Sequence, residues 1–136
     1  MKHVFASVCC VMALHLGSAA QAFTTSDGVR VNPVSPGVFE VIAQNSGSPR
    51  DFWCGASEYA RRVLGAGWQD KVYVLRGRGV SVTTGKRSAV QFTLSAERID
   101  VPSVGRRSWL RIGLRVGDAL SVQQAGLYCH DRSIDP

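Results

Sequence analysis

The alternation of apolar and polar positions divides the chain into one helical segment and a series of strands. Phe39-Glu40-Val41-Ile42-Ala43 is a first full strand, preceded over residues 23–36 by a polar lead-in with a short strand at most, Val29–Val31. Ser48-Pro49-Arg50-Asp51 then has the marks of a helix start: a Ser cap, Pro at the first helical position and an acid in the first turn. Phe52, Trp53, Ala56, Tyr59, Ala60, Val63 and Leu64 fall on one side of that helix, and Gly65 and Gly67 end it. Cys54 lies off this apolar side, next to Glu58 and Arg61 on the wheel.

Beyond the helix the period changes to two. Val72–Leu75 and Ala89–Leu94 read as strands joined by a Gly- and Arg-rich loop, residues 76–87. Leu110, Ile112, Leu114 and Val116 alternate with Trp109, Arg111, Gly113 and Arg115, as in a half-buried strand. A three-residue loop, Val116 to Asp118, into a strand over 119–125 would set Leu114 opposite Leu120 and Ile112 opposite Val122, keeping one face apolar. The order predicts an α+β domain: one amphipathic helix packed on a mostly antiparallel sheet of about five strands.

Before this domain lies a segment of a different kind. Lys2, an apolar stretch from Val4 to Leu16 and the small-residue run ending Ala20-Gln21-Ala22 have the layout of a cleavable secretory signal peptide, residues 1–22. As a helix the apolar stretch would reach about 20 Å, short of the roughly 30 Å hydrocarbon core a span must cross. Residues 23–136 are then the exported domain, periplasmic or secreted.

Removing the leader takes away Cys9, Cys10, His3 and His15 and leaves Cys54, Cys129 and His130. In an oxidising compartment the remaining cysteines are expected to form a disulfide. Closing a loop of about 75 residues would stabilise the fold by roughly 4 kcal/mol if the effect is unfolded-chain entropy.

The same scarcity narrows the chemistry. Trp53-Cys54-Gly55-Ala56-Ser57 resembles a thioredoxin or monothiol glutaredoxin site, but no apolar strand leads straight into it and Ser57 stands where the second cysteine belongs. Cys54 at a helix start also resembles the layout of cysteine cell-wall peptidases. That chemistry needs a nearby His, and His130 directly follows the expected disulfide partner. Gly79 to Lys86 approximates a phosphate-binding loop, yet its glycines are one residue too far apart and Arg87 replaces the hydroxyl that would hold magnesium. There is no metal-ligand spacing, no G-x-S-x-G and no specific nucleic-acid motif, and no cofactor is implied.

What remains is charge. The chain carries a formal net charge of +6. Arg76, Arg78, Lys86 and Arg87 punctuate the loop, and Arg107, Trp109, Arg111 and Arg115 alternate onto the face opposite the core, about 6.6 Å apart per two residues. Guanidinium groups bind carboxylate or phosphate in a bidentate fork, and an exposed Trp stacks on rings. These eight residues are the candidate binding face, and an anionic polymer or an acidic envelope protein is the candidate partner. Arg stems covering a solvated sheet are the plainer alternative, and a small envelope hydrolase with Cys54 as nucleophile is the rival function.

Phe52-Trp53-Cys54-Gly55-Ala56, the segment Ser81 to Leu94 and the ending Ser121-Val122-Gln123-Gln124-Ala125 with Cys129 are similar to small exported proteins of alphaproteobacteria of uncharacterised function. The resemblance covers most of residues 23–136. It implies a bacterial, periplasmic setting and no mechanism.

Overall fold

The computed structural model describes residues 22–45, 47–100 and 113–130. The predicted signal peptide, apart from Ala22, lies outside them. Among the described residues six strands form one antiparallel sheet: β1 (Phe23–Thr24), β2 (Arg30–Ser35), β3 (Val38–Ile42), β4 (Lys71–Gly79), β5 (Ala89–Thr93) and β6 (Ala119–Ser121), in the spatial order β1-β2-β3-β5-β4-β6. One long helix, α1 (Pro49–Arg62), packs on the sheet, and a short one, α2 (Val122–Gly126), packs beside it. The α+β class and the antiparallel sheet are as the periodicity indicates, with one strand and one short helix more.

The start of α1 forms as its residues dictate. Ser48 Oγ accepts from Asp51 N, and Asp51 Oδ2 accepts from Ser48 N at 2.8 Å, a reciprocal box that satisfies two otherwise orphaned donors. At the other end Gly65 adopts φ 69° and Ala66 N donates to Ala60 O at 2.9 Å, which closes the last turn. Phe52, Trp53, Ala56 and Ala60 then meet Phe39, Val41, Val72, Val74, Val90 and Phe92 in one core with almost no exposure. Gly55 allows the contact to be close, since a Cβ there would lie 2.6 Å from Val41 Cγ1.

The structure departs from the predicted pattern in four places. The lead-in is more regular than its turn residues suggest, with β2 running through Pro33 next to a register shift against β3. Arg76 and Arg78 belong to β4, which continues to Gly79 across two register shifts against β5. The third departure is the predicted strand over 109–116: residues 101–112 lie outside the described residues, and the remainder is a turn. There Asp118 N donates to Arg115 O and Asp118 Oδ2 accepts from Arg115 N, both at 2.9 Å, with Gly117 at φ 89°. This turn docks on β4 through both backbone groups of Val74, so Leu120 faces Val72 rather than Leu114.

The fourth is the strand predicted over 119–125, which ends after three residues because Ser121 and Gln124 form a second capping box and start α2. Val122 and Ala125 are fully buried in the core. The C-terminal segment therefore enters the core as well as flanking α1.

Candidate functional site

The Cys54–Cys129 disulfide is present, with a sequence separation of 75. Cys54 is only 4% exposed, because the segment after α2 covers the flank of α1 that the wheel leaves polar. Cys54, Cys129 and Glu58 bring their ligand atoms within 4.8 Å of one another. Both sulfurs are spent on each other, so the trio offers neither a thiolate nucleophile nor a pair of metal ligands.

A different part of the molecule is built around a charge. Glu40 sits in the middle of β3, pointing away from α1, and is fully buried. The loop between β4 and β5 folds over it. Its carboxylate accepts from Ser81 Oγ at 2.5 Å, Thr83 N at 2.9 Å, Val82 N at 3.1 Å and Thr83 Oγ1. Thr84 donates through both N and Oγ1 to Ser81 Oγ, and Asn32 Nδ2 donates to Thr83 Oγ1 at 2.8 Å. Gly85 N to Ser81 O and Ser81 N to Lys86 O close the loop on itself. Burial pushes the Glu40 carboxyl up, but the bonds from Ser81, Thr83 and Val82 together outweigh it and hold the group below the usual carboxylate range.

The near-match to a phosphate loop thus has a physical meaning. Its N–H and hydroxyl donors do converge on an anion, and that anion is a carboxylate of the same chain.

The eight predicted binding residues fall into four groups. Arg76 and Arg78 are used by the fold: Arg76 Nη2 donates to Val80 O at 2.7 Å, while Arg78 donates to Gly47 O at 3.0 Å and lies over the Phe52 ring. Lys86 and Arg87 are exposed at the end of the pinned loop, together with Val80 and Val82, which are 57% and 59% exposed. Arg115 is exposed on the turn that runs beside β4. Arg107, Trp109 and Arg111 lie outside the described residues.

Two features were not singled out from the sequence. Glu40 carried a signal, a lone acid inside an apolar strand with a run of hydroxyl residues available to meet it. Trp68 stands in a polar stretch after the helix stop, where periodicity has no purchase. It is half exposed and walls a groove of about 460 Å³ beside the disulfide, with Arg61, Gln123, Leu127 and His130. The Arg61 guanidinium lies 3.5 Å from the centre of its indole.

Compared with protein-family models, curated protein sequences and solved structures, the chain gives no match. The geometry is therefore what bears on function. Among the described residues no helix is long and apolar enough to cross a membrane.

Proposed function

We propose that the chain is an exported, disulfide-braced recognition module of the bacterial envelope that acts without catalysis on an anionic polymer or an acidic protein partner. The observation that carries this reading is the loop pinned on Glu40, which presents Lys86 and Arg87 beside Val80 and Val82. A cation held on an ordered loop loses less freedom on binding than one on a floppy loop, so its contact is worth more. Exposed Val side chains add apolar area that a purely solvated charge cluster would lack. Arg76 holds the start of the loop through Val80 O, and Arg78 reaches its end through Ser88 Oγ. The resemblance to small exported alphaproteobacterial proteins agrees with an envelope setting.

The rival, a hydrolase with Cys54 as nucleophile, loses support because Cys54 is buried and bonded to Cys129. Two measurements separate the readings. Thiol titration of the natively exported chain is expected to find no free thiol, and a reactive Cys54 would return the hydrolase to first place. On an anionic matrix, Lys86→Gln with Arg87→Gln is expected to elute at clearly lower salt than the parent chain. Unchanged, salt-independent retention would remove the loop from the account.

A further inference from the structure

We infer that the groove beside the disulfide is a second binding site, and that it takes the free carboxyl terminus of a peptide whose last side chain is apolar. This rests on the reading of the chain as a recognition module and names the chemistry of one partner.

Arg61 supplies the anion contact. It is exposed at the end of α1, and stacking on Trp68 fixes the plane of its guanidinium while leaving the N–H groups at the rim able to donate. Among the described residues no acid pairs with it. Glu58, three residues earlier on the same helix, already holds Arg62 at 3.6 Å and accepts from Ser26 Oγ at 3.1 Å. A rigid, unpaired guanidinium suits bidentate capture of a carboxylate.

The rest of the groove restricts what carries that carboxylate. Trp68 and Leu127 are 50% and 64% exposed, a large apolar area to leave in water, and they match an aliphatic side chain. Gln123 Oε1 accepts from Gln69 Nε2 at 3.3 Å, which leaves its amide N–H groups to meet a carbonyl. A peptide terminus supplies carboxylate, apolar side chain and backbone carbonyl within one residue of each other. A fatty acid would leave the Gln123 amide without its carbonyl. The site lies on the helical side of the sheet, whereas the Glu40 loop covers the other side.

The test is a titration of the disulfide-bonded exported chain with N-acetyl-Ala-Ala-Leu as the free acid, with the same peptide as its amide, and with octanoate, followed at the Trp68 indole N–H by NMR. The acid is expected to bind and to shift that resonance, with the amide at least about tenfold weaker, as for loss of a charge-assisted hydrogen bond. Arg61→Gln should bring the acid down to the amide's level, and Arg61→Lys should fall between, since it keeps the charge but not the fork. Lys86→Gln with Arg87→Gln should leave peptide binding unchanged, so failure here is distinct from failure of the loop reading. Equal binding of acid and amide, no binding of either, or tighter binding of octanoate than of the peptide would overturn the inference.

Discussion

Glu40 shows how a single residue organises this chain. A carboxylate in the centre of a sheet is costly unless several donors meet it, and here Ser81, Val82 and Thr83 do so. Because its carboxyl is held below its ordinary value of 4.5, the unfolded chain takes up the proton first as pH falls. The stability it contributes is complete above that value and is lost as pH falls through the lower value of the folded state. Glu40→Gln should cost about 2 kcal/mol at neutral pH, read as a shift in denaturant midpoint, and the gap to the parent chain should narrow in acid. A gap independent of pH would show that the carboxylate contributes shape alone. Gly55 makes a second prediction at this scale. A Cβ there meets Val41, so Gly55→Ala should destabilise by about 1–3 kcal/mol in thermal or chemical unfolding despite the better helix propensity of Ala.

At the scale of elements, most of α1 was legible because its signals agree: Ser48 caps it, Asp51 completes the box and the apolar stripe has the helical period, although α1 ends at Arg62 and the last two stripe residues, Val63 and Leu64, are 47% and 40% exposed. β3 and β5 were legible to within a residue for the same reason. The C-terminal third was not. Leu120 and Val122 continue the alternation of the preceding run, and that pattern suggests a longer hairpin. Ser121 and Gln124 hold the competing signal, an S-x-x-Q capping box, and local hydrogen bonding at Ser121 overrides the weak strand period. β4 conceals its length in a similar way, because its register shifts break the alternation from Arg76 onward. Those shifts are also what turn Arg76 and Arg78 from loop cations into props of the loop.

For the whole molecule, the disulfide connects the two readings that matter most. It ties the segment after α2 to α1, across a core that Val122 and Ala125 already join. Reduction with a small thiol should lower stability by roughly 4 kcal/mol, measured against the oxidised chain at equal denaturant, and should leave the Glu40 loop in place because no bond to Glu40 comes from that segment. The scarcity of cysteine and histidine made the pairing readable from the sequence. The candidate site was readable only in part: Lys86 and Arg87 were named, while the carboxylate beneath them and the Arg61–Trp68 stack required three dimensions. Glu40 and Ser81 are 41 positions apart, a separation that no local pattern spans.

The central claim is that recognition depends on an ordered loop rather than on net charge. It is tested most directly by the affinity of the disulfide-bonded chain for an acidic polypeptide before and after Glu40→Gln. That change removes a negative charge, so net charge alone predicts tighter binding. The account predicts weaker binding, in step with Lys86→Gln and Arg87→Gln, because the loop loses the anion that shapes it. Equal or tighter binding by Glu40→Gln would contradict it.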